Sequence, residues 1–277
     1  MRSLDIFRRY DVVLCDIDGV LHSGDQGVAG VPELLAALRQ DGPRFLFLTN
    51  NGSALPEQIA AGLRGLGLDL SAGDLVTAGE TLAGACREHG LVGQPVINVG
   101  NEPAGEYIRR AGALPLAPAQ ARRHYGEARA IVVGSTRGLD KDVLDAACNA
   151  VRRHALPVLC TNPDVFAPGR DGEITLVAGG LANLLERELG AKVIRLGKPY
   201  RPIFDLALER LRGSLPGPSP RVLVVDDNLD SGIRGGHDLG FDTLLVLSGW
   251  VRSHADAEAA ASRLGIRPTY ILESVVD

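Results

Sequence analysis

The chain lacks what several large function classes require. A basic excess is missing: 29 lysines and arginines stand against 34 aspartates and glutamates, a formal net charge of −5. That balance argues against a nucleic-acid partner, because affinity for a phosphate backbone rests on surplus cations. No stretch approaches the ~18 consecutive apolar residues of a membrane span, so no membrane partner is expected. The opening MRSLDIFRRYDVV puts charges where a secretory signal needs an apolar segment, which points to a cytoplasmic location. The four cysteines (Cys15, Cys86, Cys148 and Cys160) form no CxxC pair and no zinc spacing. They read as reduced, partly buried thiols. Lysine is scarce too: 26 of the basic residues are arginine, and only Lys141, Lys192 and Lys198 are lysine. In such a chain a lysine at a particular place is expected there for chemistry that arginine cannot do.

What is present is an α/β pattern. The 277 residues, 45% hydrophobic and 23% charged, exceed one typical core of ~100–150 residues, so one large domain or two smaller ones are expected. Asp11–Asp18 is an apolar run ending in acids and reads as a buried parallel strand. Pro32 opens a helix with Leu34, Leu35 and Leu38 on one face, Arg44–Asn50 is a second strand, and Pro56–Leu66 a second helix. Near the C-terminus Val222–Asp227 and Thr243–Ser248 repeat the theme around a glycine-rich helical segment. Strands joined by helices of this length mean βαβ units and a parallel sheet. The middle reads as a second set: strands at Gln94–Val99, Arg129–Gly134 and Pro157–Cys160, and an amphipathic helix over Asp140–Arg153. The expected organisation is a doubly wound, Rossmann-like parallel-sheet core, residues 1–78 plus 192–277, with an α/β domain inserted at 79–191. Leu215–Pro220 is a short turn-rich connector.

Several strands end in polar residues where they turn into loops, which is where an open parallel sheet binds ligands. The first ends in Asp16-Ile17-Asp18-Gly19-Val20, the second in Thr49-Asn50-Asn51, and a later one in Asp226-Asp227-Asn228, while Lys198 follows a further apolar segment. Asp16 and Asp18, one residue apart, project to one face of a regular strand. Two bare carboxylates repel by ~4 kcal/mol at 4 Å in an effective dielectric near 20, and Asp227 adds a third charge. A cation must offset this, and an all-oxygen ligand set points to Mg²⁺ rather than zinc. Carboxylates, one hydroxyl and one lysine around such an ion suit a phosphoryl group, which an aspartate can attack directly.

Asp16-x-Asp18-Gly-Val, Leu48-Thr49-Asn50-Asn51, Gly197-Lys198-Pro199 and the late acidic pair stand in the order and spacing of the four motifs of the haloacid dehalogenase superfamily. The resemblance covers nearly the whole chain. The long insert, with Thr161-Asn162-Pro163-Asp164 and Ala178-Gly179-Gly180-Leu181, resembles the large α/β (C2-type) cap of the class IIA, NagD-like phosphatases. It implies a Mg²⁺-dependent phosphomonoester hydrolase acting on a small phosphorylated metabolite, and it leaves a homodimer open. By the same resemblance Asp16 is the nucleophile and a metal ligand. Asp18 is the general acid and then base, with its backbone carbonyl on the metal. Thr49 and the Asn50 backbone hold phosphoryl oxygens, Lys198 neutralises nucleophile and phosphate, and Asp227 completes the metal shell. The fourth motif departs from the pattern, which has glycine before the first aspartate and a second aspartate five residues later. Here those positions are Asp226 and Gly232. Either Asp226 or Asp230 supplies the missing charge, or the metal is held more weakly.

Two other readings remain open: a weakened relative that binds a phosphometabolite without turnover, which Gly232 favours, and a phospho-accepting signalling module, whose motif order this chain does not follow. His22 reads as a solvent-facing loop residue, with substrate contact as the other option. His89, His124, His154, His237 and His254 show no metal spacing and read as surface residues. Cys15 points away from Asp16 by alternation, into the core. Arg170 reads as a surface arginine rather than an anion contact.

Overall fold

The computed structural model describes residues 3–168, 173–215, 217 and 219–277. Arg170 and positions 216 and 218 of the connector lie outside these. Every expected strand and helix forms, with ends displaced by one or two residues. The chain divides into two compact units. Met1–Thr49, Pro56–Val76 and Phe204–Asp277 make the first; Asn50–Leu55 and Thr77–Ile203 make the second.

The first unit is built on a six-stranded sheet in the order Tyr270–Leu272, Asp242–Val246, Val222–Asp226, Val12–Asp16, Arg44–Thr49, Leu75–Thr77. The chain starts in the central strand, Val12–Asp16, and works outward on one side. It then returns to the centre at Val222–Asp226 and works outward on the other. The strands on either side of this reversal pair in parallel, from Val12 with Val222 to Cys15 with Val225. Both are buried throughout, which accounts for their runs of valine and leucine without polar alternation. On one face Val13, Cys15, Phe47, Leu223 and Val225 join Leu34, Leu35 and Leu38 of the helix Val31–Asp41 in one core.

The second unit repeats the plan. Its five-stranded sheet runs Val193–Arg195, Val158–Cys160, Ala130–Val133, Pro95–Val99, Leu114–Leu116, with neighbouring strands parallel. The helix Lys141–His154 begins at Asp140, whose carboxylate accepts from the amides of Asp142 and Val143, and buries Val143, Ala147, Ala150 and Val151. A two-stranded ribbon, Phe166–Pro168 with Ile174–Leu176, stands apart from the sheet. Among the described residues no helix is long and apolar enough to cross a membrane.

Candidate active site

In the first unit the site follows from register. Cys15 lies opposite Val225 and Asp16 opposite Leu48, so one step along brings Asp16 level with Asp226, and Thr49 ends the neighbouring strand. These strands flank the reversal in sheet order, where parallel sheets open a crevice at their carboxyl ends. Cys15 and Val225 point into the core, so alternation turns Asp16 and Asp226 together to the other face. Asp227 follows directly. Asp16, Asp226 and Asp227, all buried, each offer a carboxylate oxygen within 4.8 Å of the other two. It is the one such grouping of histidine, cysteine, aspartate or glutamate among the described residues.

The donor set suits a hard divalent cation: three carboxylates, with no sulfur and no imidazole. Each pair of such charges repels by ~4 kcal/mol at 4 Å and an effective dielectric of 20, so a cation lowers the energy of the arrangement. Asp227 is held in place from outside the sheet, its Oδ2 accepting the Trp250 amide at 2.5 Å. It is wedged between Gly19 and Gly249, at either of which a Cβ would collide with its carboxylate. Gly19 also has φ +83°, so glycine is required there twice over.

Asp18 is placed differently. The strand stops at Asp16, so alternation no longer governs Asp18, which is exposed and outside the three-acid group. Its carboxylate accepts a long hydrogen bond from Thr49 Oγ1 at 3.5 Å and lies 3.4 Å from His22 Nε2. His22 is therefore not a solvent-facing loop residue. It is half-buried, with Nδ1 3.0 Å from the Gly24 carbonyl, and the hydrogen bond to Asp18 raises its pKa above 6.5. The turn that brings His22 back to Asp18, where a short bridge forms, is the signal a linear reading passes over.

The remaining motif residues lie in the second unit, where Asn50 is the hub. Its Oδ1 accepts the Lys198 amide at 2.7 Å, and its Nδ2 donates to the Lys198 carbonyl at 3.0 Å and to Asp164 Oδ2 at 3.0 Å. A side chain thus clamps the backbone of Lys198, which is itself buried at 3% exposure. Gly197 has no room for a Cβ, which would meet Asn50 Oδ1, the Thr161 carbonyl and Pro163. Within this unit the clamp thus fixes the lysine motif through the residue that follows Thr49 in the chain. Asp164 was legible only as part of Asn162-Pro163-Asp164; its partner lies 114 residues away.

The other candidates fall where their chemistry predicts. The cysteines are free thiols, with Cys15, Cys86 and Cys160 buried, and burial pushes the Cys160 thiol up to about 12. His124, His237 and His254 pair with surface carboxylates.

Comparison with known proteins agrees with this geometry. A model of haloacid dehalogenase-like hydrolases matches residues 13–113, and a second, HAD-hydrolase-like model matches residues 195–277. The chain is 32% identical to chronophin of Bos taurus over 282 residues, spanning 99% of this chain and 93% of that one. It superposes with TM-score 0.83 and 29% identity on the glycerol phosphate phosphatase from Mycobacterium tuberculosis in complex with magnesium, over 98% of this chain and 76% of that one. With NagD from E. coli K-12 the TM-score is 0.80 at 27% identity, over 97% and 98% of the two chains. The chain belongs to the haloacid dehalogenase-like hydrolase family, in its class IIA, NagD-like branch.

Proposed function

We propose that this protein is a Mg²⁺-dependent phosphomonoester hydrolase whose nucleophile is Asp16. One observation carries the reading: Asp16, from the first motif, shares a buried three-carboxylate cluster at the reversal point of the sheet. The relative whose structure contains magnesium is a glycerol phosphate phosphatase. Asp16 Oδ attacks phosphorus; as that bond forms, the ester P–O bond breaks, and Asp18 gives its proton to the departing alkoxide. Asp18, now a carboxylate, takes a proton from water, whose oxygen attacks the same phosphorus. Orthophosphate leaves and Asp16 is regenerated. The exposure of Asp18 suits a group that must meet first a leaving group and then water.

Asp16, Asp227 and the Asp18 carbonyl are the ligands in this reading. Bound there, the ion offsets the charge between nucleophile and phosphate. Thr49 and the Asn50 backbone hold non-bridging oxygens, and Lys198 supplies the second positive charge. The substrate is a small phosphorylated metabolite. The core is taken as 1–78 plus 192–277, and the insert 79–191 as the cap that selects the leaving group. A cytoplasmic location belongs to the same reading.

The test is phosphate release over a panel of phosphomonoesters, with Mg²⁺ and with chelator. Release that requires Mg²⁺ is expected from at least one panel member. No release from any, or release undiminished by chelator, overturns the proposal.

A further inference from the structure

The strand Val222–Asp226 ends in a residue around which its surroundings are shaped. Asp226 is buried at 1% exposure. Its Oδ1 accepts the Asn228 amide at 2.8 Å and its Oδ2 the Gly232 amide at 3.1 Å. Residue 232, in the turn Leu229–Ile233, has no backbone reason to be glycine, since it is absent from the positive-φ positions. The reason is space. A Cβ at Gly232 would lie 2.8 Å from Asp226 Cγ and 2.9 Å from its Cβ, and would overlap Oδ2. Side chains at 226 and 232 therefore exclude one another, because both positions open onto one volume.

The motif this chain resembles has glycine at the position of Asp226 and aspartate at that of Gly232, and here the two are exchanged. We infer that Asp226 is a relocated metal-site acid: the charge that the pattern keeps on the turn is carried instead from the strand end, in the same cluster as Asp16 and Asp227. The grouping of those three carboxylates and the mutual exclusion of 226 and 232 are independent observations, and both point to the same atom group. Asp230, the other acid of the segment, does not fit. It is exposed, pairs with Arg234 Nη1 at 2.6 Å, and stands outside the grouping. Gly232 then marks an exchange rather than a loss, which removes the support for a weakened relative.

This inference rests on the proposed reading of the cluster as a Mg²⁺ site, and its test needs no substrate. Mg²⁺ binding to the full-length, metal-stripped protein is measured by isothermal titration calorimetry, with circular dichroism to check the fold. Asp226→Asn keeps the size, loses the charge and gives up one of the two backbone hydrogen bonds, since an amide nitrogen cannot accept; its affinity is expected to fall by about 10–100-fold, the usual effect of removing a group that supports metal ligands. D226G is expected to be similarly weak, and the swap D226G/G232D to recover most of the loss. G232D alone, which forces two carboxylates into one volume, should melt below the parent, while the swap should not share that deficit. If D226N binds Mg²⁺ as the parent does, Asp226 merely ties the turn to the strand and the inference fails. It fails equally if the swap binds no better than D226G. Failure of the phosphatase reading looks different: intact Mg²⁺ binding in the parent with no phosphate released from any ester.

Discussion

The two sheets share a plan and differ in what they carry at their ends. Each is a run of parallel strands with helical crossovers around an apolar core. At its carboxyl edge the first sheet presents Asp16, Thr49 and Asp226, with Asp227 directly after. The second presents Val99, Val133 and Cys160, followed by Gly100-Asn101, Gly134-Ser135 and Thr161-Asn162. Those polar groups mostly serve the local chain. Asn101 caps the helix Glu102–Arg110 and donates to the Ser53 carbonyl, Ser135 Oγ accepts the Arg137 amide, and Asn162 Oδ1 accepts the Asp164 amide. In the first sheet three charges converge on one point instead. The backbone plan creates a crevice in such a fold, and the side chains placed there decide whether it does chemistry.

The comparison breaks most severely at the nucleophile. Asp16→Asn preserves size and replaces the nucleophilic carboxylate by a neutral amide, and kcat is expected to fall on the order of 10⁴–10⁶-fold, as when a catalytic nucleophile is deleted. Melting temperature should hold or rise without Mg²⁺, because one of three crowded charges is gone. Appreciable turnover in a contamination-free preparation would remove Asp16 as nucleophile.

Lys198 tests whether the second unit contributes chemistry as well as scaffold. Lys198→Met should lower kcat on the order of 10²–10³-fold, the cost of removing one group that stabilises developing charge. Lys198→Arg should rescue little, because a side chain buried at 3% exposure leaves little room for the wider planar guanidinium. Lys192→Arg, with the same change of group, should leave turnover unchanged. Equal behaviour of the two lysines would reduce Lys198 to packing.

Which of these features were readable in advance follows from their range. The strands, the helix Lys141–His154, and Asp16, Thr49 and Asp227 at strand ends were legible, because apolar runs and terminal acids are properties of consecutive residues. The Asn50 clamp was not: its partners are 148 and 114 residues away, and the sequence offers only an asparagine beside a threonine. Nor could spacing separate Asp226 from Asp230, since what separates them is a grouping in space that includes Asp226 and leaves Asp230 outside, paired with Arg234. His22 was misjudged because a turn returns it to Asp18, and loop composition carries no such information.

Two threonines at corresponding edges sharpen the contrast at smaller scale. Thr49→Val removes the hydroxyl that faces Asp18 and should lower kcat on the order of 10²-fold, with little change in melting temperature. Thr161 Oγ1 is buried and makes no hydrogen bond among the described residues. Thr161→Val should therefore stabilise the protein by about 1 kcal/mol, by removing an unsatisfied group. Thermal melts of both variants check this; a destabilised Thr161→Val would mean that the hydroxyl has a partner, such as an ordered water.

The smallest effect expected is at Arg195, the charged end of an outer strand in the second sheet. Its guanidinium pairs with Glu186 Oε2 at 2.5 Å, donates to Asn183 Oδ1 at 2.8 Å, and lies 6.0 Å from the centre of the Tyr200 ring. The hydrogen bond from Arg195 holds the Glu186 carboxyl below its ordinary 4.5. A depressed folded-state value stabilises the protein above the unfolded value, and that contribution disappears as pH falls through the folded one. Arg195→Met should thus cost about 0.5–1 kcal/mol near neutral pH, the scale of a solvent-screened pair. The difference from the parent should shrink as acid is added below pH 4.5. The amide and ring contacts do not titrate with Glu186, so a residue of the difference persists in acid. A difference that is the same at both ends of the pH range would assign Arg195 to those contacts alone. Charge at this strand end would then contribute nothing through its ion pair, in contrast to the cluster at Asp226, where the proposed metal site depends on the charge itself.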